Sequence, residues 1–203
     1  MANQVVISSI PEAAKPYVNT LLTSLPVNIK LTKERLTKHG DYKKRTDGKH
    51  QITINATSNP YRFLITLIHE VAHFIAFEKY GFRIKPHGKE WKTVYRKIML
   101  PLLHPEIFPE KLLPLLLSHF KNPKASTDTD FDLVIALHQY DAATHKTFIF
   151  ELDLGDTFVL SNGRKFVRGL QRRKRFECIE VHTQKKYLIS PQAVVQKVGY
   201  GSK

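Results

Sequence analysis

His69, Glu70 and His73 are the residues whose types and spacing say most about chemistry. On a helix, two histidines four apart project from one face, within reach of a single ion. Glu70 then stands beside them, placed to take a proton from a water that a divalent cation has acidified. The chemistry this trio supports is metal-assisted hydrolysis of a peptide carbonyl.

A zinc centre that turns over needs three protein ligands and one open position. A Gly and a His at three and six residues past His73 would supply one familiar answer, but Ala76 and Lys79 stand there. Glu78 lies five residues past His73, about 140° around the helix, and reads as a solvated surface residue. Two candidates remain, His87 and Glu90, three apart on one face of the next helix. Pro86 and Gly88 flank His87 in a tight turn able to aim its ring back at the first helix. Glu90 either ligates in its place or orients it from behind. Zinc accepts both donor sets.

The element that must hold the trio opens at Asn59-Pro60, with Asn59 as N-cap and Pro60 at the first helical position, and ends at Gly81. Phe63, Leu64, Ile68, Val71, Phe74 and Ile75 make it apolar nearly all round, so it is a buried helix. Two imidazoles and a carboxylate inside such a helix need a compensating partner, and one zinc ion is the simplest. Upstream, Pro11 to Leu25 has helical spacing. Val27 to Leu31 and Gln51 to Asn55 read as strands, with Gly40-Asp41 and Asp47-Gly48 as turn signals between them. Helices are expected from about Gly88 to Leu100, Pro109 to Phe120 and Phe131 to Tyr140. Short strands follow at Thr147–Phe150, Thr157–Leu160, Lys165–Arg168, Arg175–Val181 and Lys186–Ile189, with Asn162-Gly163 as a hairpin signal. The polar run 121–130 (KNPKASTDTD) is the natural boundary. The expected layout is an α+β domain over 1–120, a linker at 121–130, and a basic β-rich module over 131–203.

His69-Glu70-Val71-Ala72-His73-Phe74, a gap of a helical turn and a loop, then His87-Gly88-Lys89-Glu90-Trp91 resembles the SprT-like metallopeptidases, which include Spartan. Gly40-Asp41-Tyr42 and Ile52-Thr53-Ile54-Asn55 are similar to that family's strand region, and the likeness covers roughly residues 10 to 120. It implies a zincin-like fold in which His69, His73 and His87 hold one zinc and Glu70 is catalytic. Members of the Spartan branch cleave proteins trapped on DNA and tend to act only with DNA bound. Many relatives carry a C-terminal zinc ribbon with paired cysteines; here Cys178 is the only cysteine, so the C-terminal module lacks the usual ribbon ligands. Cys178 and His182 would stand far apart along an extended strand, and Cys178 reads as a small buried hydrophobe.

Composition adds a partner. The chain has 203 residues, 42% hydrophobic, and 32 Lys and Arg against 18 Asp and Glu, for a formal net charge of +14. That excess sits on the surface and favours a polyanion. Arg164, Lys165, Arg168, Arg172, Arg173, Lys174 and Arg175 fall within twelve residues that contain no acid, a density suited to phosphate contacts. Binding of that kind is backbone-driven and sequence-nonspecific, with DNA as the expected partner beside the protein substrates. Phe166 and Phe176 interleave with the cluster and read as core rather than as stacking platforms. A lone cysteine, no signal-like N-terminus and no membrane-length apolar run lead to the expectation of a cytoplasmic, nucleoid-associated protein without membrane contact.

Overall fold

The computed structural model describes residues 2–33, 35, 38–142 and 147–198. The chain forms two compact units, Met1–Ala142 and Ala143–Lys203. It is a mixed α+β protein with two sheets.

The first unit opens with α1 (Ala2–Ser8) and α2 (Lys15–Thr23), then runs β1 (Val27–Thr32), β2 (Gly40–Lys44), β3 (His50–Asn55), α3 (Pro60–Tyr80), α4 (Lys89–Met99), α5 (Leu113–Lys121) and α6 (Phe131–His138). β3 lies in the middle of a three-stranded sheet, parallel to β1 and antiparallel to β2. β2 is therefore an edge strand. Asp47-Gly48 makes the β2–β3 turn as expected: Gly48 sits at φ 80° and Arg45 N–H bonds Lys49 O at 2.8 Å. Gly40-Asp41 is not a turn. It starts β2, because Gly40 pairs with Ile54 of β3, and its missing side chain serves the site described below.

α3 packs on β2 and β3 and is the spine of the unit. Asn59 caps it, its Oδ1 accepting from Tyr61 N (3.1 Å) and Arg62 N (2.9 Å), while Gly81 at φ 75° ends it with N–H on Phe77 O. Phe63, Leu67, Ile68, Val71 and Phe74 of this helix join Ile29, Ile52 and Ile54 of the sheet, Trp91, Tyr95 and Met99 of α4, and Leu133 and Leu137 of α6 in one core.

That core overturns the expected linker. Residues 121–130 and α6 belong to the first unit, whose limit falls at Ala142. The polar run looks like a tether because its acids lack close partners in sequence, but both Asp128 and Asp130 find partners elsewhere in the unit. Asp128 meets His39 at 3.0 Å, Asp130 meets His119 at 3.2 Å, and Asn122 Oδ1 accepts from Lys92 Nζ at 2.7 Å. Asn59 Nδ2 then donates to both Leu137 O and Asp141 Oδ1 at 2.7 Å, tying the end of α6 to the cap of α3.

The second unit is a six-stranded sheet of β4 (Thr147–Phe148), β5 (Thr157–Leu160), β6 (Lys165–Arg172), β7 (Arg175–Glu180), β8 (Lys186–Ile189) and β9 (Val194–Lys197), ordered β4-β9-β5-β6-β7-β8 and antiparallel throughout. β5 to β8 form a meander, and β9 returns to pair with β5. Asn162-Gly163 turns β5 into β6, with Gly163 at φ 79°. Phe158, Phe166, Phe176, Cys178 and Val195 fill its interior. β6 bulges between Arg168 and Gln171; at Gly169 a Cβ would lie 2.2 Å from Glu177 O, so only glycine fits.

Candidate metal centre

The four-residue spacing does what helical geometry requires: His69 and His73 leave α3 on one side, and His87 meets them from the turn before α4. The three Nε2 atoms form a triangle with sides of 2.9 Å (His73–His87), 3.1 Å (His69–His87) and 3.2 Å (His69–His73). These are the residues among those described that bring three metal-ligating atoms together. Glu90 is in the first turn of α4 and outside that group. Cys178 is buried in the second unit's interior, while His182 is exposed.

His87 reaches this position through a left-handed backbone, φ 58°. Such a conformation costs a non-glycine residue roughly 1–2 kcal/mol, a cost tolerated where it places a functional side chain. The turn is closed by Gly88 N–H on Lys85 O at 2.9 Å. A Cβ at 88 would lie 2.8 Å from that same oxygen, so Gly88 is needed to close it.

Trp91, with no solvent exposure, walls the triangle from the α4 side. Its ring lies 4.7 Å from His69, 5.2 Å from His73 and 4.7 Å from His87. This apolar backing sets the protonation state. Burial, then the neighbouring histidines, pushes His69 down to about 2; burial and then His87 push His73 down to about 4; burial lowers His87. All three are neutral at pH 7 and present lone pairs.

Glu70 is 6% exposed, lines the same cavity as the three histidines and lies against the start of β2. Gly40 makes room: a Cβ there would stand 2.8 Å from both Cγ and Oε1 of Glu70. The backbone N–H of Tyr42 faces the Glu70 carboxylate and favours its charged form. Burial, with the charge of Asp41 adding to it, raises Glu70 to about 8, and the Tyr42 N–H, Arg35 and Lys38 act against that rise. Positive charge among the histidines would add to the same side and favour the carboxylate. Asp41 itself is buried enough to be raised, but hydrogen bonds from Arg35 and Lys38 outweigh burial and hold it below the usual carboxylate range.

The trio opens into a cavity of about 570 Å³. Its walls come from the start of β2, from α3, from the 81–87 loop and from the 125–128 segment expected to be a linker. Neutral imidazoles with close-set Nε2 atoms fit one zinc: a tetrahedral centre with bonds of about 2.0–2.1 Å separates its nitrogens by roughly 3.3 Å, near the triangle seen. The sequence marked Gly40 and Tyr42 only as part of a strand region, gave them and Trp91 no role at the site, and placed 125–128 in a linker. A glycine opening a strand was the one signal available for Gly40.

The basic cluster divides. Arg164 Nε donates to Glu180 at 2.6 Å and its guanidinium lies over Tyr187, while Arg168 lies over Phe176 at 4.2 Å; both are part of the second unit's packing. Arg172, Arg173, Lys174 and Arg175 make the exposed tip of the β6–β7 hairpin, with Arg173 at φ 53°, and Lys165 is exposed on β6.

Residues 12–108 match the SprT-like family. Stretches of the chain are similar to Protein SprT of Vibrio parahaemolyticus (45% identity over 53 residues, 24% of this chain and 32% of the relative) and of Pseudomonas fluorescens (37% over 67 residues, 32% and 41%). The same is true of Protein SprT of Pseudomonas paraeruginosa (54% over 33 residues, 16% and 20%). The matched stretches thus span less than half the length of each of these relatives. No solved structure matches the chain.

Proposed function

The chain carries a SprT-like domain at residues 12–108, and on that premise we propose that it is a zinc-dependent endopeptidase of zincin-like type acting on proteins held on DNA. The observation that carries the reading is the convergence of three neutral imidazoles beside a buried glutamate at the wall of an open cavity. His69, His73 and His87 would hold one zinc through Nε2. The chemistry a bound zinc supplies is Lewis acidity toward water and toward the scissile carbonyl.

The chain's own residues do the rest. Glu70 takes a proton from water on a carboxylate oxygen and then gives it to the departing amine nitrogen. The Tyr42 N–H keeps that carboxylate aimed, and favours its ionised form before transfer. Trp91 keeps water from the α4 side of the imidazoles, so that solvent meets the centre from the cavity. Intact Glu70 also favours turnover over a purely structural zinc site, which has no use for a general base.

The DNA part of the proposal is supported by the +14 charge and by the exposed hairpin tip of β6 and β7. Replacing Arg172, Arg173 and Arg175 together with alanine tests it. Binding should weaken on all DNA sequences, and the slope of log affinity against log salt should flatten. A short peptide should be cut equally by wild type and variant, whereas a DNA-bound protein should be cut much less by the variant. Unchanged affinity and slope in the variant would remove the hairpin as the DNA contact and leave a general peptidase.

A further inference from the structure

A run of polar contacts links Glu78 of α3 through His50 of β3 to Tyr42 of β2, the strand that receives Glu70. Glu78, about two turns further along the same helix, faces His50 of β3, with Oε1 3.4 Å from Nε2. The other ring nitrogen of His50, Nδ1, lies 2.8 Å from the Tyr42 hydroxyl on β2. Tyr42 in turn presents its backbone N–H toward Glu70, and Gly40 of the same strand lies against that carboxylate. The Tyr42 O–H donates to Nδ1 in the tautomer that carries the ring proton on Nε2, and that nitrogen lies within ion-pair distance of Glu78. The charge of Glu78 is felt at the far end, because burial and then Glu78 push the Tyr42 hydroxyl up to about 12.

The packing makes this run rigid. The rings of Tyr42 and His50 are stacked at 3°, and Phe74 and Phe77 of α3 close on His50 at 5.0 and 5.7 Å. β2 needs such a tether. It is an edge strand, hydrogen-bonded to a neighbour on one side, yet it carries both the glycine and the N–H that receive Glu70.

We infer that His50, braced by Glu78, is a positioning residue for Glu70: it fixes the Tyr42 side chain and so holds the edge strand β2, whose Gly40 seats the carboxylate. The inference rests on the peptidase reading for its consequence, though not for its geometry. Neither His50 nor Glu78 lines the cavity, so their substitution leaves the substrate's walls in place.

Two substitutions separate hydrogen bonding from packing. His50→Phe keeps an aromatic ring and loses the acceptor; His50→Asn loses the ring and keeps an oxygen where Nδ1 accepted. With zinc-loaded protein and a peptide substrate, His50→Phe should lower kcat about tenfold with KM within about twofold, as expected for a misaimed group, while His50→Asn stays within about threefold of wild type. Zinc content should be equal in all three. Amide hydrogen exchange at Tyr42 should quicken in His50→Phe and stay slow in His50→Asn. The reverse order, with His50→Phe active and His50→Asn impaired, would make His50 a packing residue and overturn the inference, as would unchanged exchange at Tyr42 in His50→Phe. A wild-type protein that cuts no peptide would count against the peptidase reading alone, and the exchange at Tyr42 would still decide whether His50 holds β2.

Discussion

At the scale of single residues, the site is a set of close approaches that tolerate few atoms more. Trp91 is the chain's single tryptophan and touches all three histidines, so its fluorescence reports on the centre without a label. Zinc added to metal-stripped protein should change that emission and saturate near one equivalent. His87→Ala should abolish the change, and Glu90→Ala should preserve it. The reverse result would restore Glu90 as the ligand. Gly40→Ala is the corresponding probe of the carboxylate. Its new methyl group would meet Glu70 Cγ and Oε1 at 2.8 Å and Thr66 Cγ2 at 2.9 Å, so Glu70 must move. Peptide cleavage should fall by at least about tenfold with zinc retained; full activity would mean that Glu70 does not need its observed seat. His69, Glu70 and His73 were legible in the sequence because their chemistry is local to one helix. Gly40 and Tyr42 were not, because what they touch comes from another element.

At the scale of elements, α3 depends on partners distant in sequence. Asn59 is fully buried and serves both ends of the contact: it caps α3 and donates to Leu137 O and Asp141. Asn59→Ala removes the cap and leaves buried backbone groups unpaired, which should cost roughly 2–3 kcal/mol, read as a lower Tm. The same contact carries a pH dependence. Burial works to raise Asp141, but the charge of Arg62 and hydrogen bonds from Asn59, His138 and Arg62 hold it low; at Asp128, His39, Arg62 and Ser126 likewise outweigh burial. A carboxylate depressed in the folded state stabilises above its unfolded pKa of about 4, and that stabilisation is lost as pH falls through the folded value. Tm should therefore decline below about pH 4, and Asp141→Asn should flatten the decline while lowering Tm at neutral pH. An unaltered acid profile in Asp141→Asn would assign the loss to other groups. Helix boundaries near Asn59 and Gly81 were legible because capping is short-range. The 121–130 run read as a linker because ion pairs to His39 and Arg62 leave no local pattern.

At the scale of the whole molecule, each unit has its own interior, and the charge that suggests a polyanion is shared between structural and exposed groups. The second unit's strands were legible from alternation and from Asn162-Gly163, whereas β9 was not, since Val194-Val195-Gln196-Lys197 shows no apolar–polar alternation. Arg164 and Arg168, grouped by sequence with the hairpin arginines, bond and stack within their own unit. Arg168→Ala should consequently lower the second unit's stability through lost packing, with heat denaturation as the readout and unchanged Tm as the contrary result. No helix among the described residues is long and apolar enough to cross a membrane. At the centre of the first unit, Glu70 is proposed to work as the base beside a three-histidine zinc centre. Its most direct test is to compare zinc-loaded wild type with Glu70→Gln on an unfolded protein substrate, with bound zinc measured in the same samples. About one zinc per chain is expected in both, with cleavage reduced at least a hundredfold from wild type in the variant, in line with about 10²–10⁴ for a lost general base. Cleavage by Glu70→Gln at the wild-type rate, with zinc bound, would contradict it.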